Sequence, residues 1–439
     1  MRTAPGDVTI LHANLTPIGI LLNEQNLKSY ARIATRPEQH PISPATKRTA
    51  KIQVKSHLTA LHHMAKRAYF DPTKLEKINP VGSRPGAKPL ITINIPTSKE
   101  EAIVQDNLLF KKGIMIYTDG SGYEGNIAAA AILYFNGYKQ SELTYRLGPD
   151  TQHMVFEGEL TAIILGIHLA RKFKGRRQKI TLNIDNQATI LTMKYSRPQA
   201  AQHLIEEIKR YIKLLRIEEA IRASNDNRTN LEVEFKWVAG HMGSTGNDAV
   251  DKSAKTAATR GSSHPNYLPP TLRNELPISL SATKQLIDKL TKLNTKTWWR
   301  GSTRYKKMRE IDPTLPSANF IKATNGLNHS QISVLTQLRT GHAPLNKHLH
   351  RINRSDNPNC SQCTNTPEDV EHFIFRCNKY TLQRHKLVTN IKRNAYSTRH
   401  LLSDPVTIRH TLNFVNATRR FTRIYGDISA ELMDDNDRN

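Results

Sequence analysis

The chain has 439 residues, room for roughly two to three domains of ~150 residues each. Hydrophobic residues make up 38% of it, too many for a wholly disordered chain, and Lys and Arg outnumber Asp and Glu by 64 to 38, a net charge of +26. Such an excess argues against a free small-molecule enzyme and for a polyanionic partner, nucleic acid or an anionic membrane surface. A spanning segment is not expected: the longest apolar run, Ile127 to Phe135, is nine residues, against the ~20 a membrane requires. The start lacks the basic n-region and continuous apolar stretch of a signal peptide.

Residues 1–112 carry 17 basic and 8 acidic side chains. Apolar helical spacing runs through 22–33 and 52–69, so this part reads as a basic helical connection segment, with His62 and His63 as surface residues. It closes on a Pro/Lys-rich stretch, INPVGSRPGAKPLITINIPTSKEE. Residues 113–260 are nearly balanced, 20 basic against 16 acidic, and read as α/β. Strands are expected at 114–118, 127–135, 140–147, 180–184 and 231–238, with a hairpin signal at Asn136-Gly137. Helices are expected at 159–173, where Leu160, Ile163, Ile164 and Ile167 share a face, at 199–223 and at 247–259. The order is β-β-β-α-β-α-α-β-α, a mixed five-stranded sheet with flanking helices. After Arg260, GSSHPNYLPPTLRNELP reads as a linker, and residues 261–439 are again strongly basic, 27 against 14.

Four acids of the middle module stand at element ends. Asp119 ends the first strand, Glu159 opens the first long helix, Asp185 ends the fourth strand, and Asp251 lies in the first turn of the closing helix. Singly each has an ordinary reading, a turn residue or a first-turn acid favoured by the helix dipole. Together they make a crowd of carboxylates, which is costly unless cations neutralise it. Mg²⁺ is the hard, oxygen-seeking ion that suits such a set, and two such ions can stabilise both the attacking and the leaving oxygen of a phosphodiester. Glu157, two residues from Glu159, reads as a solvated or helix-N-terminal residue and not as a ligand. The run RKFKGRRQK, 171–179, reads as a solvated loop, with nucleic-acid contact as the alternative.

The segments YTDGSG (117–122), GELTAI (158–163), LNIDNQATI (182–190) and WVAGHMGSTGNDAVDKSAKTA (237–257) resemble a ribonuclease H type 1 domain of the kind found in retroelement polyproteins. The resemblance covers about a third of the chain. It implies that Asp119, Glu159, Asp185 and Asp251 are the catalytic carboxylates holding two Mg²⁺ ions, with Mn²⁺ as a substitute. It also implies that His241 assists product release or proton transfer. Asp248 departs from the family, which usually has Glu there, and the 199–223 helix carries mixed charge where some members have a basic handle.

All three cysteines fall within 18 residues, too few for a disulfide framework and clustered as for a metal in a reducing compartment. Cys360, Cys363, His372 and Cys377 form Cys-x2-Cys-x8-His-x4-Cys, a ligand set for one tetrahedral structural Zn²⁺, with Phe373 and Phe375 as a small core beside it. His342, His348 and His350 are less well spaced alternatives. LRTGHAPLNKHLHRI (338–352) and HFIFRCNKY (372–380) resemble the C-terminal tail of non-LTR retrotransposon polyproteins, which ends in such a zinc element. Residues 284–309 mix basic side chains with Trp298 and Trp299, either a nucleic-acid contact or a helix with its Trp residues in a core. No polymerase motif precedes the middle module; Asp434-Asp435 lies in a polar tail.

The expected organisation is a basic connection (1–112), a ribonuclease H domain (113–260), a basic helical linker region (261–355), a zinc-binding element (356–380) and a helical tail (381–439), the distal part of a retrotransposon-derived protein. The expected activity is endonucleolytic hydrolysis of the RNA strand of RNA–DNA hybrids. The expected partners are the hybrid and other nucleic acid, with no membrane and the oligomeric state open. The location is intracellular, nuclear or cytoplasmic. A catalytically inert nucleic-acid-binding remnant is the alternative, and an integrase-like DNA nuclease shares the acidic logic.

Overall fold

The computed structural model describes residues 5–51, 56–81, 90–175, 178–194, 197–224, 231–240 and 242–432. The chain divides into two compact units, residues 24–289 and residues 290–439 with 1–23.

The first unit is built on one mixed sheet of six strands: β1 (Thr92–Asn94), β2 (Ile114–Tyr123), β3 (Asn126–Phe135), β4 (Tyr138–Pro149), β5 (Lys179–Ile184) and β6 (Glu232–Trp237), in the spatial order β1-β6-β5-β2-β3-β4. The β2-β3-β4 meander is antiparallel, while β2·β5, β5·β6 and β6·β1 are parallel. Five strands are those expected. The sixth, β1, comes from the basic connection and pairs Thr92 with Glu234 on the edge of β6. Its three residues are too short to carry a visible alternation.

Helices cover both faces, which explains the unbroken apolar run of β3. Ala129, Ala131 and Leu133 pack with the helices Val155–Lys172 and Gln202–Ser224, whereas Ala130, Ile132 and Tyr134 pack with Val250 and Ala254 of the helix Thr245–Arg260. The 155–172 helix is buried along nearly its whole length. It begins four residues before the expected start because Glu157 accepts the Met154 amide at 2.8 Å and caps the first turn. Glu157 is therefore N-terminal but not solvated; it is 1% exposed, beside His153.

The stretch after Arg260 is not a free linker. Ser263 donates its amide to the Thr144 carbonyl at 2.9 Å, and the Thr144 and Arg146 amides donate to the Ser263 and Ser262 hydroxyls. Leu268 and Leu272 join the sheet core. The unpaired edge of β4 needs such partners, and short hydroxyl side chains supply them. The ends of the 171–179 run are likewise engaged, Arg171 with Glu218 and Lys179 with Glu234, while Arg176 and Arg177 lie outside the described residues.

Glu76 ties three distant segments of this unit. Its buried carboxylate accepts the Ala201 amide at 2.6 Å and the Leu280 amide at 2.8 Å, at the starts of two long helices. Glu76→Ala leaves two buried donors unpaired and is expected to cost roughly 2–4 kcal/mol, read as a lower urea midpoint. An unchanged midpoint would mean that water replaces the carboxylate there.

The second unit is helical. Its core gathers Trp299, Met308, Val334, Leu338, Phe373, Leu412, Phe414 and Phe421, with Val8 and Leu11 from the short helix Gly6–His12. Trp299 is in this core and Trp298 stands at the surface, so the pair divides between the two readings of 284–309. The fully buried Arg339 is held by Asp312 at 2.5 Å, the Leu402 carbonyl at 2.7 Å and His12 Nε2 at 3.2 Å. Burial, reinforced by Arg339, pushes His12 down to about 3, so it stays neutral and accepts that bond. No helix among the described residues is long and apolar enough to cross a membrane.

Candidate active site

The sheet brings the acids together by where its ladders stop. β2 and β5 pair in parallel as far as Thr118 and Ile184, so Asp119 and Asp185 are the next residue on each strand. Strand β2 does not end at Asp119 but runs on to Tyr123 against β3. Glu159 arrives from the 155–172 helix, one turn inside it, through a close approach at two glycines. A Cβ on Gly120 would lie 2.1 Å from the Glu159 nitrogen, and one on Gly158 would lie 3.0 Å from the Ala128 carbonyl oxygen. Helix and strand can touch at that depth only without side chains.

Oxygen atoms of Asp119, Glu159 and Asp185 lie within 4.8 Å of one another. Asp119 and Glu159 are 6% and 4% exposed, and Asp119 Oδ2 and Glu159 Oε2 have no hydrogen-bond partner. Burial, then the charges of Asp185 and Asp251, push Asp119 up to about 7. Burial, then Asp119 and Asp185, push Glu159 well above the usual carboxylate range. The Gly120 amide opposes both shifts and does not cancel them. Orphaned, buried oxygens crowded within 4.8 Å of one another fit divalent cations with oxygen ligands.

Asp251 lies in the second turn of its helix, because Ser244 caps at Thr245, two residues before the expected start. It does not share the 4.8 Å set. It acts on Asp119 electrostatically, and its Oδ2 is bound by Lys255 Nζ at 2.7 Å. His241 lies outside the described residues. Its neighbour Gly240 backs Asp185, with 3.2 Å between Oδ2 and the site of a Cβ.

The cysteine group also converges. Cys360, Cys363, His372 and Cys377 each offer a ligand atom within 4.8 Å of the others. The Cys377 sulfur stands 3.8 Å from that of Cys360 and 4.0 Å from that of Cys363. A tetrahedron with metal–sulfur bonds of ~2.3 Å has edges of about 3.8 Å, while a disulfide needs ~2.05 Å. Both nitrogens of the buried His372 ring are without a hydrogen-bond partner, and the Gln362 amide points at the Cys360 sulfur at 3.5 Å. Burial pushes the Cys377 thiol up to about 11, a cost that a bound cation would reverse. These observations fit zinc. The rings of His342 and His348 meet tilted, with centres 4.9 Å apart, outside this group.

Several residues at the carboxylate site carry no motif of their own. Lys255 neutralises Asp251, and Asp106, Tyr117, Ser244 and Lys236 form a buried polar layer behind the acids. Asp106 had one legible signal: it stands four residues after Ala102 on the buried stripe of the helix Lys99–Leu109.

Residues 111–259 match the family model for RNase H. No curated protein matches the chain. Among solved structures, RNase H1 from the halophilic archaeon Halobacterium salinarum NRC-1 is 15% identical, with 31% of this chain and 92% of that one covered and a TM-score of 0.23. LC11-RNase H1 in complex with an RNA/DNA hybrid is 14% identical, with 33% and 98% covered and a TM-score of 0.26. The prototype foamy virus protease-reverse transcriptase is 15% identical, with 34% and 21% covered and a TM-score of 0.25.

Proposed function

We propose that this chain, whose residues 111–259 form a ribonuclease H domain, cleaves the RNA strand of RNA–DNA hybrids endonucleolytically, as part of a retrotransposon-derived protein. The observation that carries the reading is the convergence of the buried Asp119 and Glu159 with the half-buried Asp185, with two orphaned carboxylate oxygens. Asp119, Glu159 and Asp185 would hold Mg²⁺, with Asp251 completing the set. Two bound ions would supply charge neutralisation for the attacking water and the departing oxygen. Water attacks phosphorus, the bond to the 3′ oxygen breaks, and the products are a 3′-hydroxyl and a 5′-phosphate.

The chain's own residues prepare this step. Gly120 and Gly158 set the depth at which Glu159 meets Asp119. Lys255 orients Asp251 from the same helix. His241, the residue after Gly240 in the sequence, would assist product release. The 2′-hydroxyl would distinguish the RNA strand. The site itself is acidic, so affinity would come from basic surface elsewhere and fall with salt. Cys360, Cys363, His372 and Cys377 would hold one structural Zn²⁺, which suits a reducing, intracellular compartment.

The test is cleavage of a labelled RNA–DNA hybrid with Mg²⁺, beside double-stranded RNA and DNA controls. Hybrid-only cutting, lost with EDTA, is the expected result. Hybrid binding without cutting would make the domain an inert scaffold, and cutting of duplex DNA would move it to the integrase-like class.

A further inference from the structure

We infer that Asp106, on the helix 99–109 that precedes the family-matched segment, is a positioning residue for the carboxylate site; this rests on the ribonuclease reading above. Asp106 is 3% exposed. One oxygen accepts the Tyr117 hydroxyl at 2.6 Å and the other accepts the Ser244 hydroxyl at 2.5 Å. Each partner leads to the site by a different route.

Tyr117 stands two residues before Asp119 on β2, so the two side chains leave the strand on the same face. Its ring is the floor on which the closing helix lands: a Cβ on Gly246 would lie 2.2 Å from that ring. Ser244 is the cap of that helix, accepting the Asn247 amide at 3.3 Å. Four residues before it in the sequence, Gly240 rests against Asp185. Asp106 thus clamps the strand carrying Asp119 to the start of the helix carrying Asp251.

The same row of the sheet supplies its counter-charge. Tyr117 pairs with Asn183, and Asn183 with Lys236. Lys236 is fully buried and interacts electrostatically with Asp106 and Glu234. A buried carboxylate with two short hydroxyl bonds and a nearby ammonium is a fixed strut, because either hydroxyl left alone would be a buried unpaired group. Its action is geometric, and reactions of this kind lose about 10²-fold for an ångström of misplacement.

The experiment compares Asp106→Ala and Asp106→Asn with the unaltered full chain. The Asn side chain keeps an oxygen for one hydroxyl and an amide for the other. Mg²⁺ binding is measured by calorimetry without nucleic acid. Amide exchange over 242–251 is followed in the metal-free protein, with 127–135 as the internal reference. Asp106→Ala is expected to weaken Mg²⁺ binding roughly tenfold and to speed exchange over 242–251, with the reference unmoved. In hybrid cleavage kcat falls while KM stays within about twofold, and Asp106→Asn restores most of the loss. Unchanged Mg²⁺ binding and unchanged exchange in Asp106→Ala would overturn the inference, as would Asp106→Asn doing the same damage. If Asp106→Ala does not fold, Tyr117→Phe and Ser244→Ala each remove one arm and are read in the same way. A wild-type chain that cuts no hybrid would defeat the functional reading alone, since calorimetry and exchange still judge Asp106.

Discussion

Asp119→Asn is expected to lower hybrid cleavage at least about 10³-fold, to leave hybrid binding intact, and to make the metal-free protein more stable. The first two effects follow from the position of Asp119 among the crowded oxygens and from the proposed reading, in which those oxygens hold metal and basic surface elsewhere supplies affinity. The third follows from electrostatics. Burial and two neighbouring carboxylates raise Asp119 to about 7 in the folded chain, against an ordinary value near ~3.9. Between those values the folded state holds a proton that the unfolded state has released, so stability falls as pH rises from about 4 to about 7 and stays low above that. The full effect is worth up to about 4 kcal/mol. Asn carries no charge, so the variant gains most at pH 8 and little at pH 4. Mg²⁺ stabilises the wild type at pH 8 by binding the folded state alone, and stabilises the variant less. Urea melts at both pH values, with and without Mg²⁺, check this. Parallel pH profiles for the two proteins would show that the carboxylates do not repel one another in solution.

If Cys360, Cys363, His372 and Cys377 hold zinc as proposed, the effect of losing it is expected to be larger still for the helical unit. Cys360→Ser or His372→Ala should take the zinc content from one per chain to near zero and abolish the cooperative melt of the 290–439 region. Structural zinc is worth about 10–16 kcal/mol in small zinc folds at neutral pH. Here the ligands are wired into the unit's core. Phe373, next to His372, packs on Tyr380, Phe414 and Phe421 with ring centres 5.3–5.8 Å apart. Glu368 accepts Arg420 at 2.7 and 2.9 Å, and Arg384 donates to the Ile374 and Cys377 carbonyls. Releasing the metal would leave the Cys360 and Cys377 thiols and the unpartnered His372 imidazole buried beside that core. Zinc near zero in natively purified protein that melts normally would contradict the assignment.

Much of this was legible before any fold was seen. The sheet's five longer strands, the order of helices between them and the Cys-x2-Cys-x8-His-x4-Cys set are written in local patterns, because periodicity and ligand spacing are properties of neighbouring residues. Asp119, Glu159 and Asp185 were legible for the same reason, each lying beside a strand or helix boundary. The boundaries themselves shifted where caps decided them. Glu157 starts one helix four residues early, and Ser244 starts another two residues early, carrying Asp251 into its second turn.

The amino-acid sequence by itself determined the chemistry on offer: a run of acids in one α/β module, one Cys/His set at metal-ligand spacing and an excess of positive charge. Only the tertiary structure decided who serves that chemistry. It recruited β1 from the basic connection, turned a Gly/Ser/Pro stretch into the cover of β4, buried Trp299 and Arg339, and set Asp106 behind the acids through partners 11 and 138 residues away. The physical reason is that burial makes an unpaired polar group costly, and the partner that relieves the cost is chosen by packing and not by distance along the chain.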